Sequence, residues 1–412
     1  MDGGVGAVRT VPLRSLVDVS RLTVQPSEMG ESVLHFSIPA LDQGEPVLVP
    51  SADIDSHKLR LQGGEILISR LNPRIPRVHI VPRTLPFESV ASTEFVALNP
   101  RPAADPDFTR YFLLSSAVRG RLHSEVRSAT RSHQRVDPDV ILQLRVPKYG
   151  HREQRRIADF LDDRVARIDQ IIAARRDQIR AIDEATRSEL CEGSLYSKGP
   201  RVQLRRLIQG ERLGIWGSNP GEEVRDISVA RVADFNRHDF TLGPTQTIRS
   251  ATDAQVDSRL LLPGDVLLER SGGTQLNPVG CPAYVVAVEG PVVCSNFVSR
   301  LRPKEGVDGR YLSLVLGALY ATRQQSPHST QTTGIMNLNT GSYFKVLIPL
   351  RSPQEMSELG RRLDRALAAA REHQGQLNRS IELLTEYKSS LITAAVTGEL
   401  DVATASRRIP GE

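Results

Sequence analysis

The sequence predicts an α+β protein that contains two copies of one unit, in which a mixed α/β domain is followed by a long helix. Three observations predict this architecture. Residues 61–70 and 261–270 share one pattern, Leu-x-x-Gly and an acidic residue followed by three apolar residues, and 93–100 is repeated at 295–303. The copies begin 200–202 residues apart, a period that indicates a duplicated domain rather than a solenoid. Short apolar stretches broken by Pro and Gly also alternate with two long, charged helical stretches.

The elements follow from these patterns in chain order. In each mixed domain the short apolar stretches predict strands, and one helix is expected in each, over 108–126 and over 309–325. Ser352-Pro353 is typical of a helix start, and Thr397-Gly398 of a helix end. The predicted segments are a first mixed domain (1–147), a central long helix (148–198), a second mixed domain (199–350), a distal long helix (351–400) and a disordered tail (401–412).

The two long helices carry apolar residues in the same heptad phase. Spacing that alternates between four and three residues places an apolar seam on one side of a helix, which is typical of a coiled coil. We therefore expect the two helices to pair with each other, each spanning roughly 50–60 Å. A helix that packs on a globular domain would show a similar stripe. The seam positions are Leu161, Val165, Ile168, Ile172, Arg175, Ile179 and Ile182, and then Leu363, Leu367, Ala370, Gln374, Leu377, Ile381 and Leu384.

The bulk composition permits an anionic partner without requiring one. The net charge is +5, and the sequence contains 47 arginines against six lysines. Arginine suits phosphate and guanine because it can form two parallel hydrogen bonds, although codon bias in a GC-rich genome would give the same excess. Three cysteines without metal-ligand spacing, and the lack of an 18-residue apolar run or a signal peptide, lead us to expect a cytoplasmic protein without a zinc site.

Motifs for catalysis are missing from the sequence. It has no phosphate-binding loop, no dinucleotide fingerprint, no nucleophile elbow and no HExxH. The nine histidines form no i, i+4 pair on a predicted helix, so we expect neither a metal site nor an enzyme. A self-sufficient modification enzyme is disfavoured for the same reason.

Signals for DNA binding are stronger, because the same polar segment follows the helix in both copies. Side chains of Arg, Gln, Ser and Thr bind phosphates and base edges. A solvated helix face, a generic polar loop, or a salt bridge at Arg70 and Arg270 would account for the same residues. The candidate DNA contacts are Arg70, Arg119, Arg121, Arg127, Thr130, Arg131, Ser132, His133, Gln134 and Arg135 in the first copy, and Arg270, Ser271, Thr274, Arg323, His328, Ser329, Thr330, Gln331, Thr332 and Thr333 in the second.

With these motifs in this order, the chain resembles the specificity (S) subunits of type I restriction–modification enzymes over nearly its whole length. The order of the motifs, repeated in both copies, makes the resemblance specific. The motifs are Gly64-Glu65-Ile66-Leu67 and Gly264-Asp265-Val266-Leu267, the polar segments that lead to Val136-Asp137 and Leu338-Asn339, the stretch 146–158, and the closing stretch 390–400.

The resemblance implies two target recognition domains, joined by an antiparallel pair of long helices with pseudo-twofold symmetry. It implies that each domain reads one half of a split, asymmetric sequence in double-stranded DNA. Two methyltransferase subunits and the restriction/translocase subunits would be partners, and S-adenosylmethionine, ATP and Mg would bind to those partners rather than to this chain. The second copy has Met356 after Glu355 where the first has Gln154 after Glu153, which questions whether both helices dock partners equally. The alternative is a non-catalytic coiled-coil scaffold with two protein-binding domains and no DNA binding.

Overall fold

The computed structural model describes residues 9–126, 134–196, 199–332 and 334–405, and the chain divides into two compact units. The first unit contains Met1–Ala174 and Arg379–Glu412, and the second contains Arg175–Asn378. Both unit boundaries fall within the long helices, whereas the sequence pattern treats each helix as a segment of its own. These helices are α5 (His151–Leu195) and α9 (Pro353–Thr397), each of 45 residues, so each contributes to both units.

In the first unit, apolar strands form sheets that pack against short helices. A four-stranded sheet has the order β2-β10-β7-β8 and a five-stranded sheet the order β3-β6-β9-β4-β5, while β1 pairs with β11. β7 is buried along its whole length, as expected for the inner strand Ile-Leu-Ile-Ser. The elements are β1 (Thr10–Pro12), β2 (Val17–Ser20), β3 (Thr23–Val24), β4 (Ser32–Phe36), α1 (Ile38–Asp42), β5 (Val47–Pro50), β6 (Lys58–Leu61), β7 (Ile66–Ser69), β8 (Val78–Ile80), β9 (Ser89–Ala91), β10 (Phe95–Pro100), α2 (Pro106–Leu114), α3 (Ser116–Ser124), α4 (Pro138–Leu142) and β11 (Arg145–Pro147).

The helix expected over 108–126 is two helices, because Ser115 interrupts it. Ser115 has extended backbone angles, and its hydroxyl accepts the N–H of Val118 at 3.3 Å as the N-cap of α3. The same hydroxyl donates to the carbonyl of Phe112 at 2.7 Å. A serine can satisfy these groups outside a helix, so local capping overrides the continuous apolar pattern.

The second unit has the same style of fold with more strands. Its largest sheet has the order β13-β22-β18-β20-β16-β15, and smaller sheets have the orders β17-β14-β21, β19-β24-β23 and β12-β25. The helix expected over 309–325 ends at Ala321. The elements are β12 (Arg201–Gln203), β13 (Ile208–Leu213), β14 (Arg225–Ala230), β15 (Phe235–Asn236), β16 (Thr241–Leu242), β17 (Ile248–Ala251), α6 (Asp253–Asp257), β18 (Val266–Glu269), β19 (Ser271–Gly272), β20 (Pro282–Tyr284), β21 (Val292–Cys294), β22 (Val298–Pro303), α7 (Gly309–Ala321), β23 (Ser329–Thr332), β24 (Ile335–Leu338), α8 (Thr340–Tyr343) and β25 (Leu347–Pro349).

Each unit contains an equivalent pair of strands, β7 with β10 in the first and β18 with β22 in the second. The register of these pairs corrects the residue equivalence that the sequence alignment suggests. In the first unit Phe95 of β10 pairs with Ser69 of β7. In the second, Val298 of β22 pairs with Glu269 of β18. Phe95 therefore corresponds to Val298 and not to Phe297, although the sequence aligns the two phenylalanines. One residue of slip matters here because it turns a side chain to the other face of the sheet.

The predicted pairing of the long helices is confirmed within each unit. In the first unit, seam residues of α5 and α9 are buried in one hydrophobic core, and Lys388 Nζ donates to Asp169 Oδ1 at 2.6 Å. In the second unit Gln374 Nε2 donates to Asp183 Oδ1 at 2.6 Å, and Arg362 lies 3.8 Å from Glu189, so the helices run antiparallel there.

The same seam also packs against the strand-rich part of each unit. Leu363 of α9 belongs to one core with Val266 of β18 in the second unit, and Leu161 of α5 belongs to one core with Ile66 of β7 in the first. Helix pairing and packing on a globular domain, which the heptad pattern could not separate, therefore occur together. Each helix pair is part of the core of its unit.

The difference between Gln154 and Met356 is a difference in internal packing. Gln154 is buried; its Nε2 donates to the carbonyls of Ala103 and Tyr149, and its Oε1 accepts the N–H of Asp105 at 2.9 Å. Met356 is buried in the hydrophobic core of the second unit. Both side chains are enclosed within their own unit, so this difference does not alter an exposed helix surface.

Candidate nucleic-acid interface

The polar segment predicted as a loop in the second unit is mainly a β-hairpin. Thr330 pairs with Asn337 and Gln331 with Met336, between β23 and β24. Ser271 of β19 pairs with Asn337 on the other side of β24. The β19-β24-β23 sheet thus brings together candidates that are about 60 residues apart in the sequence.

One face of this small sheet is polar and points away from the core. Side chains alternate along a strand, and Leu338 and Met336 pack against the hydrophobic core. Asn337 therefore lies on the opposite face, in a row with its cross-strand neighbours Ser271 and Thr330. Ser271 Oγ donates to Asn337 Oδ1 at 2.7 Å, which orients the amide. Sequence reasoning missed Asn337, because only the pairing with β19 reveals its position.

Arg270 connects this sheet to the rest of the second unit. Its N–H donates to the carbonyl of Phe297, and its own carbonyl accepts the N–H of Leu338, both at 2.8 Å. Its guanidinium lies 3.5 Å from Glu211 Oε1. The carboxylate of Glu211 also accepts the hydroxyls of Ser299 and Thr340. The salt bridge considered for this arginine is therefore present.

The first unit repeats the backbone arrangement with different side chains. The N–H of Arg70 donates to the carbonyl of Glu94, and the carbonyl of Arg70 accepts the N–H of Val136. The Arg135 guanidinium donates to both carboxylate oxygens of Glu94 at 2.7–3.0 Å. These hydrogen bonds, together with the charges of Arg135 and Arg70, lower the pKa of Glu94. Glu94 thus occupies the position that Phe297 has in the second unit.

The other candidates divide into exposed and inward-facing side chains. Arg121 is exposed and paired with Glu125 at 3.0 Å, and Arg119 and Gln134 are half-buried. His328 faces Ser342 and Tyr343 inside the unit, and Ser329 donates to the carbonyl of Gln325. Thr330 and Gln331 are exposed, and Thr332 ends β23. The predicted contacts Arg127, Thr130, Arg131, Ser132, His133 and Thr333 lie outside the described residues.

A basic cleft of about 410 Å³ lies beside the loop that joins β19 to β20. Four arginines line it against one acid, Asp183, together with Leu276 and Asn277 of that loop; the arginines are Arg187, Arg237, Arg323 and Arg371. Arg323 Nη2 donates to the carbonyl of Leu276 at 3.0 Å, so this predicted contact supports the loop. Clustered arginines attract an anionic polymer to such a cleft.

A buried ion pair supports the strand that leads into the polar face. Glu269, with 1% exposure, accepts Nη2 of Arg237 at 3.0 Å, and Nη1 of Arg237 donates to the Tyr320 hydroxyl at 2.7 Å. Burial raises the pKa of Glu269 and Arg237 opposes that rise. In the first unit Ser69 occupies the corresponding strand position, so this pair is specific to the second unit.

The described part of the chain contains neither a candidate metal site nor a helix that could cross a membrane. Among residues 9–126, 134–196, 199–332 and 334–405, no three His, Cys, Asp or Glu side chains are grouped in a way that could hold a metal ion. None of the helices described there has the length and apolar composition needed to cross a membrane.

The two units, each with a long helix pair and a small polar sheet or segment at the same backbone position, define a duplicated α+β protein with one candidate interface in each unit. No family model matches the chain. It is 24% identical over 334 residues to the specificity subunit of the type I restriction enzyme StySPI from Salmonella potsdam, a match that covers 77% of this chain and 70% of that protein.

Solved structures extend the comparison to the fold. A chain from a study of assembly and conformational transition in a type I restriction–modification system matches with a TM-score of 0.75 and 17% identity, covering 96% of this chain and 99% of that one. The HsdS subunit of Thermoanaerobacter tengcongensis matches with a TM-score of 0.53 and 18% identity, covering 96% and 98%. The chain therefore has the fold of type I specificity subunits, and the resemblance predicted from its sequence is confirmed.

Proposed function

We propose that the chain is the DNA-binding specificity subunit of a type I restriction–modification complex, and that each unit contacts one half of a bipartite target. The observation that carries this proposal is that the backbone around Arg70 and around Arg270 is hydrogen-bonded in the same way, while the neighbouring side chains differ. We call these two equivalent backbone stretches, 70 with 94 and 136, and 270 with 297 and 338, the counterpart edges. A fixed backbone with variable polar side chains suits a protein that must read two different half-sites. The resemblance to the StySPI specificity subunit supports the same role.

In this mechanism arginines at the basic cleft hold the phosphates, and the polar face of the β19-β24-β23 sheet meets base edges. Phosphate contacts supply affinity without sequence information, whereas Thr330 and Asn337 of the polar face supply discrimination. The chain itself carries no catalytic group in this scheme. Two methyltransferase subunits and the restriction subunits would bring S-adenosylmethionine, ATP and Mg.

The decisive experiment measures binding to duplex DNA by fluorescence anisotropy, using the methylated motif mapped in the host genome. We expect Thr330→Ala to weaken cognate binding by about 2- to 10-fold, because Thr330 is exposed on the polar face and a single hydrogen bond contributes roughly 0.5–1.5 kcal/mol. Thr245→Ala is the matched control, since Thr245 lies on a loop of the same unit outside the sheet. A wild-type chain without affinity for duplex, or without loss of binding as salt rises, would support the scaffold alternative.

A second experiment tests the role of the long helices. Removing one heptad from both α5 and α9 should change the number of base pairs between the half-sites and leave both half-sites unaltered. Methylation mapping of the variant measures this directly. Altered bases within a half-site would contradict the proposed spacer role.

A further inference from the structure

Each unit presents one exposed aliphatic side chain on an equivalent loop, the one between β7 and β8 in the first unit and the one between β19 and β20 in the second. In the loop after β7, Ile75 is 44% exposed, and in the loop after β19, Leu276 is 83% exposed. Single apolar residues on a surface need no special explanation. Here, however, the exposed side chains recur on counterpart loops, and each loop is joined to the candidate interface of its unit.

The loop in the second unit is a rigid turn. The N–H of Thr274 donates to the carbonyl of Asn277 at 2.7 Å, and the N–H of Asn277 donates back to Thr274 Oγ1 at 3.1 Å. Gly273 has φ +66°, and a Cβ there would lie 2.8 Å from the backbone nitrogen of Val279, so the turn requires glycine. With its carbonyl also held by Arg323, Leu276 is presented in a fixed position.

The loop in the first unit is also tied down. The N–H of Ile75 donates to the carbonyl of Asn72 at 2.9 Å, and the N–H of Asn72 donates to the carbonyl of Gln134 at 2.8 Å. Asn72 has φ +49°, a conformation that asparagine adopts more readily than most residues. The turn that carries Ile75 is thus anchored to the segment that holds the candidate contacts of this unit.

The charges around both turns favour DNA over an acidic or neutral partner. The turn 273–277 contains no carboxylate, and neither does 72–76, which contains Arg74. Leu276 also borders the cleft lined by Arg187, Arg323 and Arg371. An apolar tip beside a cluster of arginines can enter a groove while the arginines bind the flanking phosphates.

We propose that Leu276 and Ile75 are base-contacting residues, each packing against an apolar base edge in the groove of its own half-site. The 5-methyl group of thymine is the apolar group that the major groove displays. This inference rests on the proposed DNA-binding function and adds a mode of discrimination that needs no hydrogen bond. Because both turns are held rigid, little side-chain or backbone order is lost on binding.

The test uses the full-length chain, co-expressed with its methyltransferase subunits, and cognate and unrelated duplexes. Leu276→Ala and Ile75→Ala should each raise the dissociation constant for the cognate duplex by about 15- to 60-fold, as expected when two or three of the three methyl or methylene groups that each variant removes are buried against a base. Binding to unrelated duplex and the salt dependence should not change, because no phosphate contact is lost. Leu262→Ala is the matched control, since Leu262 is 50% exposed near the other end of β18 and should have no effect.

Duplexes with one half-site scrambled separate the possible outcomes. The loss of DNA affinity caused by Leu276→Ala should vanish when the half-site read by the second unit is scrambled. The loss of affinity caused by Ile75→Ala should vanish when the half-site read by the first unit is scrambled. Equal losses with Leu262→Ala, or losses on unrelated DNA, overturn the inference. So does unchanged DNA binding with weaker retention of the methyltransferase subunits, which would make these tips protein contacts. If the wild-type complex does not distinguish cognate from unrelated duplex, the proposed function itself fails, and this inference fails with it.

Discussion

Replacing Arg237 by methionine should destabilise the second unit strongly, because it leaves the carboxylate of Glu269 buried without its partner. Two unit charges 3.0 Å apart attract each other by about 5 kcal/mol at an effective dielectric constant of about 20. The exposed part of Arg237, 29% of its side chain, lowers this figure through solvent screening, whereas the lost bond to Tyr320 adds to it. We expect a net loss of about 2–4 kcal/mol, close to what breaking a buried ion pair costs.

Urea unfolding followed by tryptophan fluorescence measures this loss of unfolding free energy in the second unit. Trp216 is the only tryptophan in the chain and lies in the second unit, so its signal reports unfolding there. Arg225→Met is the matched control, because Arg225 forms more exposed ion pairs with Asp253 and Asp257 at 3.5–4.0 Å. An exposed pair contributes at most about 1 kcal/mol, so the control should change the midpoint little.

The pH dependence and a second substitution distinguish a buried charge from a packing defect. Burial raises the folded-state pKa of Glu269 above its unfolded value, so this carboxylate costs stability as pH rises through that interval. Without Arg237 the cost of burying the Glu269 carboxylate grows. The loss of unfolding free energy in Arg237→Met should therefore be smaller at pH 5 than at pH 8. Adding Glu269→Gln to Arg237→Met should recover about 1–2 kcal/mol, since it removes the unpaired charge. A deficit below about 0.5 kcal/mol, or a further loss in the double variant, would refute this reasoning.

Three further outcomes are expected. Burial raises the pKa of Cys281 and Cys294 to about 12, so iodoacetamide at pH 8 should label both only after unfolding, and labelling of the native chain at the rate of a free thiol would contradict their burial. Leu161→Ala should cost about 2–5 kcal/mol in chemical denaturation, and a loss below about 1 kcal/mol would place it outside the core. The Arg135 hydrogen bonds hold the pKa of Glu94 below its usual value, so this carboxylate stabilises the fold above its unfolded pKa. That contribution is lost as pH falls through the folded pKa, so the melting-temperature deficit of Glu94→Gln at pH 7 should shrink steadily as the pH is lowered, and a deficit that does not depend on pH would contradict this.

The long helices were predictable because their signal is distributed over many residues. A heptad pattern of seven positions in each helix tolerates one polar member, Arg175 or Gln374, without losing its phase. The helix over 108–126 was wrong at one residue, Ser115, because a single side chain decides whether the backbone continues or is capped. Long patterns are therefore read more reliably than local interruptions.

The candidate interface was predictable in composition but not in geometry. The polar segment was found because it recurs, yet its conversion into a hairpin depends on pairing with β19, which is remote in sequence. Asn337 and Leu276 were missed for the same reason, since strand alternation and turn exposure appear only after the partners are in place. The Gln154 and Met356 difference was noticed, but its internal role required the packing.

If the units bind DNA as proposed, the counterpart edges explain how one duplicated fold reads two different half-sites. The bonds that fix each edge run through backbone atoms, from Arg70 to Val136 in one unit and from Arg270 to Leu338 in the other, so they do not depend on the side chains beside them. Those side chains are free to diverge: the position held by Glu94 in the first unit, where it binds Arg135, is held by Phe297 in the second. If the units bind DNA as proposed, exchanging side chains at such counterpart positions should change the half-site that is read while the frame remains folded. An exchange that unfolds its unit without altering recognition would show instead that these side chains, and not the backbone bonds, hold the edge together.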